Sequence, residues 1–214
     1  MDTVTDDPFT GALTSEAQLR ELYEMPSAVA TKKVIDRFDD ACRQLVALSP
    51  MVFVASHGTD GGCDVTPRGG QPGFVTVLDD SHVAIPDATG NKRLDTLRNV
   101  VECGQAALIF VIPGRAWTLR VNGRACITAS PDVLDRLEPV GKPPRTAIVV
   151  AADEVFTHCP KAFIRSSLWD PATWPSAADQ PAPAEVLTAH IADPALPLAD
   201  VEQVLEDSLK HRLA

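Results

Sequence analysis

The chain has 214 residues, of which 45% are hydrophobic, and its 19 basic and 29 acidic side chains give a formal net charge of -10. That length allows a core of ordinary size. The excess of acid argues against a nucleic-acid partner, because such binding depends largely on Lys and Arg neutralising phosphates. No apolar run approaches the roughly 20 residues of a membrane span, so no membrane partner is expected. Residues 1–7 are acidic and lack the features of a signal peptide, and the five cysteines form no C-x-x-C pair. We therefore expect a cytoplasmic protein with reduced thiols.

Two helices are predicted at the start of the chain. Ser15 and Gln18 have the spacing of a capping box, which predicts a short helix over residues 15–24. Apolar residues then recur every three or four positions over residues 28–48, which predicts one amphipathic helix that Ser49 and Pro50 end.

Six short segments rich in β-branched residues follow, each bounded by Gly, Pro or Asp. They are residues 51–56, 73–78, 82–85, 106–112, 117–128 and 146–150. Only two helices interrupt them, at residues 94–103 and 131–138, so a regular βαβ alternation is not expected. The pattern predicts a mainly β (α+β) fold, a small closed antiparallel barrel with peripheral helices.

The chain after Phe156 is irregular and rich in Pro and Ala until a last helix, predicted over residues 198–213. We expect three parts. They are an N-terminal helical extension at residues 1–48, a barrel domain at residues 49–175 and an acidic, helical C-terminal extension at residues 176–214.

Residues 85–99 have the pattern of a strand end, a Gly/Asn turn and a helix start. Unpaired N–H groups and the positive end of the helix dipole favour an anion at such a start, and Lys92, Arg93 and Arg98 add positive charge. The segment therefore predicts a phosphate site. An ordinary solvated helix start is the alternative.

Arg68 lies in a second segment of interest, between Pro67 and the pair Gly69 and Gly70. An arginine held by a stiff turn presents a planar fork that suits a phosphate or a carbonyl-rich ring. The alternative is a tight hairpin with a surface arginine.

Two further segments carry clustered charge. In residues 118–125, Arg120 and Arg124 share one face with Asn122, and the Asn-Gly pair indicates either a hairpin turn or a bulge in one continuous strand. In residues 158–169, Lys161 and Arg165 share a helix face, with Trp169 one turn further on. That helix either closes over an anionic or aromatic ligand or is a rim helix anchored by the tryptophan.

Motifs for metal binding, nucleotide binding and nucleophilic catalysis are missing from the sequence. It contains no H-E-x-x-H, no Walker motif, no G-x-S-x-G, and no G-x-G-x-x-G after a strand. We therefore expect no metal site and name no catalytic residue. His57 and His158 are candidate proton donors from their closeness in sequence to the charged segments.

The four segments in this order resemble the pyridoxamine 5'-phosphate oxidase-related family of FMN-binding split barrels. They resemble in particular a bacterial branch marked by P-R-G-G-x-P-G-F, I-P-D-x-x-G-N-x-R-x-D-T-L-x-N, R-V-N-G-R-A and H-C-x-K-A. The matching stretches are residues 67–74, 85–99, 120–125 and 158–162. The likeness covers about residues 30–175. It implies a six-stranded antiparallel split barrel that forms a homodimer, with FMN bound in clefts at the subunit interface.

The resemblance also implies which residues contact the cofactor. Arg68, Asn91 and Arg93 would hold the phosphate, backbone near Thr66 and residues 75–77 would meet the ribityl chain or ring, and residues 161–169 would come from the partner subunit. The expected contact residues are Thr66, Pro67, Arg68, Gly69, Val75, Val77, Pro86, Asp87, Asn91, Arg93, Thr96, Lys161, Arg165 and Trp169.

The function implied is that of an FMN-dependent oxidoreductase acting on a small molecule. A non-catalytic protein that binds flavin, deazaflavin or haem is the alternative. The true oxidases grip pyridoxal phosphate with a basic, tryptophan-containing C-terminal segment. Residues 176–214 are instead acidic, so oxidation of vitamin B6 is not expected. The expected partners are a second copy of the chain and a small-molecule substrate or electron donor.

Overall fold

The computed structural model describes residues 9–88, 90 and 92–211. The chain divides into two compact units, the first ending at Val34 and the second beginning at Ile35. The first unit contains helices α1 (Glu16–Leu22) and α2 (Ala28–Lys32). The predicted capping box of α1 is confirmed, because the Ser15 hydroxyl accepts from the Gln18 N–H while the Gln18 side chain accepts from the Ser15 N–H.

The prediction of one helix over residues 28–48 is wrong. Helix α2 ends at Lys32, and a separate helix α3 (Asp40–Leu48) begins after Asp39. The Asp39 carboxylate accepts a hydrogen bond from the Cys42 N–H at 2.8 Å and so caps a new helix. Between the two helices, Ile35 forms an isolated β-bridge with Val155. The apolar period continues through this break, so periodicity alone predicts one helix.

Seven antiparallel strands form one sheet in the second unit. They are β1 (Met51–His57), β2 (Cys63–Gly69), β3 (Thr76–Val77), β4 (His82–Pro86), β5 (Gln105–Val111), β6 (Thr118–Thr128) and β7 (Ala147–His158). Their order is β2-β1-β5-β6-β7-β4-β3. The mainly antiparallel split-barrel fold with peripheral helices is therefore confirmed, with seven strands where six were expected. The sheet is not closed as expected, because among the described residues its end strands, β2 and β3, do not pair with each other. Strand β2 was not predicted from β-branched residues, because the glycines and prolines of residues 63–73 resemble a turn.

The Asn122–Gly123 pair lies inside a continuous strand, so the hairpin alternative is excluded. The register of β6 against β7 shifts between these two residues, which marks a bulge. A Cβ added at Gly123 would lie 1.9 Å from the Ala151 carbonyl oxygen. The bulge therefore requires glycine at this position.

The core is formed by side chains of the sheet, of helix α3 and of helix α4 (Asp95–Cys103). Its largest fully buried side chains are Phe38, Val46, Val52, Val54, Val83, Ile85, Val100, Leu108, Phe110, Leu119, Val121 and Ile148. Helix α4 ends at Gly104, which adopts the left-handed conformation that favours glycine. The sheet and α4 together hold the carboxyl end of β4 next to a helix start.

The described part of the chain contains two 3-10 helices, Pro171–Thr173 and Ala177–Asp179, and four more α-helices. The α-helices are α5 (Pro131–Leu134), α6 (Lys161–Arg165), α7 (Pro183–Ile191) and α8 (Leu198–His211). Helix α5 is shorter than predicted, and α7 occupies a stretch for which no helix was predicted. Within the described residues, no helix has the length and apolar character needed to span a bilayer.

Candidate functional site

A cleft of about 760 Å³ opens between strand β2, the start of α4 and the loop that precedes β7. Half of the residues predicted to contact a cofactor line it. These are Thr66, Pro67, Arg68, Gly69, Asp87, Arg93 and Thr96. Segments far apart in the sequence therefore meet at one site.

Strand β2 supplies one wall of the cleft. Its residues alternate between exposed and half-buried positions, and the half-buried Asp64, Thr66 and Arg68 line the cleft. The strand lies at the edge of the sheet, where the missing N–H of Pro67 breaks no ladder hydrogen bond.

Arg68 is held by an ion pair. Its Nη1 donates to the Asp87 Oδ1 at 2.6 Å, and the two side chains are only 19% and 23% exposed. The Arg68 Nε is buried and has no hydrogen-bond partner among the described residues. A buried donor without a partner inside a polar cleft indicates that an acceptor from a ligand belongs there.

The start of α4 supplies the opposite wall. The Thr96 hydroxyl donates to the Asp64 Oδ2 at 2.5 Å, which ties the helix to β2. Leu94 precedes the helix with φ 63° and makes no side-chain capping bond, and Lys92 also has a positive φ of 64°. Left-handed backbone at non-glycine residues is uncommon and clusters at ligand-binding sites. The uncapped first turn leaves backbone N–H groups that can donate hydrogen bonds to an anion.

The cleft has an excess of positive charge although the chain is acidic. Five cations line it, namely Arg68, Lys92, Arg93, Lys142 and Arg145, against the three carboxylates of Asp64, Asp87 and Asp95. Arg93 pairs with Asp95, the Nε to Oδ2 distance being 2.7 Å. An arginine fork, a lysine and an uncapped helix start at one cleft together fit a phosphate group.

The pyridoxamine 5'-phosphate oxidase family matches residues 38–159, which is more than half of the chain. The chain belongs to this family. No curated protein matches it. The family assignment therefore rests on this sequence match.

Solved structures with a similar fold include three bacterial proteins. HupZ of Group A Streptococcus is 16% identical over 56% of this chain and 92% of its own, with a TM-score of 0.45. An FMN-binding protein of Syntrophomonas wolfei is 12% identical over 67% and 96%, with a TM-score of 0.44. A Clostridium acetobutylicum protein related to general stress protein 26, of the pyridoxinephosphate oxidase family, is 18% identical over 54% and 83%, with a TM-score of 0.38.

Three of the remaining predicted residues do not line the cleft, and a fourth is outside the described residues. Val75 and Pro86 are buried, and Val77 is half-buried against the core. Any contact of these three with a ligand would be made through the backbone. Asn91 lies outside the described residues.

Lys161, Arg165 and Trp169 lie away from the cleft of their own chain. Both cations are exposed on α6, and Trp169 follows the end of that helix. The indole N–H of Trp169 donates to the Arg115 carbonyl at 3.0 Å, and its ring stacks on Phe163 with 5.8 Å between centroids. Within one chain, Trp169 therefore anchors α6 to the loop between β5 and β6. Contacts of α6 with a cofactor held by a second copy stay a prediction.

A second cavity, of about 580 Å³, lies beside β1, β2 and β6. It contains His57, which faces Cys63 across the strand pair, and Asn122, whose Nδ2 donates to the Glu154 Oε2 at 2.7 Å. His158 ends β7 and does not line the main cleft. Neither histidine predicted as a proton donor is thus among the residues that line the main cleft.

Sequence reasoning missed several residues of the cleft, among them the cations Lys142 and Arg145. Both cations come from the loop before β7, where two prolines separate them. The stiff, positively charged Lys-Pro-Pro-Arg run was a usable signal, but nothing local in the sequence places it beside Arg68.

Proposed function

We propose that the chain is a flavoprotein that binds FMN in this cleft and acts as an oxidoreductase on a small molecule. The observation that carries the proposal is the buried, unpartnered Arg68 Nε in a positively charged cleft of a pyridoxamine 5'-phosphate oxidase family member. The residues present fit a phosphate-bearing ligand by their charge and by the donors that they leave open.

Arg68, Arg93 and the first turn of α4 would hold the phosphate. Each arginine is already oriented by a carboxylate, Arg68 by Asp87 and Arg93 by Asp95. The acids reduce the conformational freedom that the cations would lose on binding. Arg68 is the better ordered of the two arginines, because its ion pair is mostly shielded from water.

FMN supplies the hydride or electron transfer when it is bound, and the chain supplies binding, orientation and electrostatics. Lys161 and Arg165 of a second copy are the candidates for stabilising the negative charge that develops on the flavin ring on reduction. No proton donor is assigned.

A homodimer is part of the same proposal. The outer face of β1, β2 and β5 exposes Phe53 (38%), Val65 (64%) and Ile109 (37%). Phe53 pairs directly with Ile109 across β1 and β5, so these side chains form one patch. An apolar patch of adjacent strands favours cover by another protein surface, and a second copy is the partner that the proposed interface site requires.

The test is to purify the protein, record its visible absorption spectrum, add FMN, and then titrate the complex without oxygen. NADH, NADPH and reduced deazaflavin are the reductants. We expect the bands of bound oxidised flavin and bleaching by at least one reductant. A colourless protein that takes up no FMN contradicts flavin binding. FMN that binds but is bleached by no reductant contradicts the oxidoreductase and favours the non-catalytic alternative.

A further inference from the structure

The loop of residues 142–145 is built to hold two cations in place. The Lys142 N–H donates to the Val140 carbonyl at 3.0 Å around Gly141, whose φ is 76°, and Pro143 and Pro144 follow. Each proline fixes its own φ and restricts the residue before it. Lys142 therefore loses little backbone freedom when it contacts a ligand. Arg145 is held from its other side, because the carbonyl of the next residue, Thr146, accepts a backbone hydrogen bond.

The loop enters the cleft beside the Arg68–Asp87 ion pair. The Asp87 N–H donates to the Thr146 carbonyl at 2.9 Å, and the next pair in the register is Pro86 with Ala147. Arg145 is thus attached directly to the backbone that faces Asp87. Both Lys142 and Arg145 line the cleft.

The charge of this loop is not compensated in the described part of the chain. Arg68 and Arg93 each have a carboxylate partner within 2.7 Å. The ion pairs among described residues include none for Lys142 or Arg145. Two cations on a stiff loop, in a chain with ten more acidic than basic side chains, hold like charges together without an acid to stabilise them. Such an arrangement indicates an anionic ligand.

We propose that Lys142 and Arg145 form an anion subsite of the cleft that binds a phosphate group. A phosphate offers enough oxygens to accept both the planar arginine fork and the lysine ammonium, whereas a carboxylate has only two. The phosphate belongs either to the cofactor or to a phosphorylated second reactant that shares the cleft. The inference rests on the proposed function only in that both concern the same cleft.

The experiment uses the double variant Lys142→Gln/Arg145→Gln and the control Arg37→Gln/Lys210→Gln. The control removes the same charge at exposed positions outside the cleft. Thermal unfolding is followed against inorganic pyrophosphate, with and without saturating FMN. We expect pyrophosphate to raise the Tm of the wild type and the control, and the double variant to need about tenfold more of it for the same shift. Equal shifts in all three proteins overturn the proposal.

Flavin titrations identify which molecule carries the phosphate. If the phosphate belongs to the cofactor, the double variant binds FMN about tenfold more weakly than the wild type and binds riboflavin with unchanged affinity. If it is the second reactant's, FMN affinity is unchanged, and pyrophosphate still stabilises the FMN-loaded wild type but not the loaded double variant. A wild type that takes up no FMN but shows the loop-dependent pyrophosphate shift contradicts the proposed function and supports the subsite. Both single variants are measured too, so that misfolding of the double variant does not decide the outcome.

Discussion

At the scale of single residues, the cleft depends on how Arg68 is held. Strand alternation turns its side chain into the cleft, and the half-buried Asp87 carboxylate fixes the guanidinium from one side. The ion pair leaves the Nε without a partner in the described part of the chain. Arg68 therefore keeps a donor for a ligand while being charge-balanced before the ligand arrives.

Among the described glycines, Gly123 is the one at which an added Cβ would come nearest to another atom. Its Cβ would collide with the Ala151 carbonyl oxygen and the Asp153 nitrogen, which are backbone atoms of β7. We expect Gly123→Ala to lower the free energy of unfolding by more than about 2 kcal/mol, because the bulge must rearrange. Denaturant unfolding measures the change.

Gly90→Ala is the matched control, since a Cβ there meets no atom of the described residues within 4 Å. A Gly123→Ala protein as stable as this control would show that the bulge tolerates a side chain.

Single residues also show where prediction from sequence reaches its limit. Ser15 and Gln18 were predictable because a capping box involves only neighbours three residues apart. Asn122 and Gly123 were ambiguous, because a turn and a bulge use the same two residues and only pairing on both sides of β6 decides between them. Lys142 and Arg145 were missed because their place in the cleft depends on the pairing of β7 with β4.

At the scale of elements, the start of α3 depends on Asp39. The Cys42 N–H, which donates to the carboxylate, is the main reason that the pKa of Asp39 lies below its usual value. The charged form is therefore favoured by folding. The stability that it adds is present above the unfolded pKa of about 3.9 and is lost as the pH falls through the lower folded pKa.

We expect Asp39→Ala to cost about 1 kcal/mol of stability at pH 7, as the loss of a helix cap does. The cost shrinks as the pH falls below about 4, where the wild-type carboxylate becomes protonated. Urea unfolding at pH 7 and at acid pH measures both values. Asp36→Ala, which removes an exposed carboxylate three residues earlier, is the control. The same loss of stability at both pH values would contradict the capping role.

Helices and strands were predictable where neighbouring residues in the sequence determine them, and were missed where their place in the sheet determines them. Helix α4 and its end at Gly104 follow from apolar spacing and a left-handed glycine, and both are confirmed. Strand β2 was not predicted from β-branched residues, because Pro67 and the glycines after it resemble a turn. The sheet edge accepts those residues, since one side of an edge strand has no hydrogen-bond partner to lose.

At the scale of the whole molecule, the proposed homodimer is tested by disrupting the apolar patch of the outer sheet face. The prediction is that Ile109→Arg disrupts it, because the charge would enter the patch formed with Phe53. Size-exclusion chromatography with light scattering should give twice the chain mass for the wild type and the single-chain mass for the variant. Val101→Arg, on the exposed side of α4, should leave the dimer intact. A wild type that is monomeric at micromolar concentration contradicts the dimer.

The cleft at Arg68 is proposed to bind the phosphate of FMN. The most direct measurement is a fluorescence titration of FMN and of riboflavin into the wild type, Arg68→Ala and the control Arg37→Ala. Loss of a charge-assisted contact should weaken FMN binding to Arg68→Ala by about 1–3 kcal/mol, with a smaller effect on riboflavin and none in the control. The same FMN affinity in all three proteins, or no FMN binding by the wild type, would contradict binding of the FMN phosphate at Arg68.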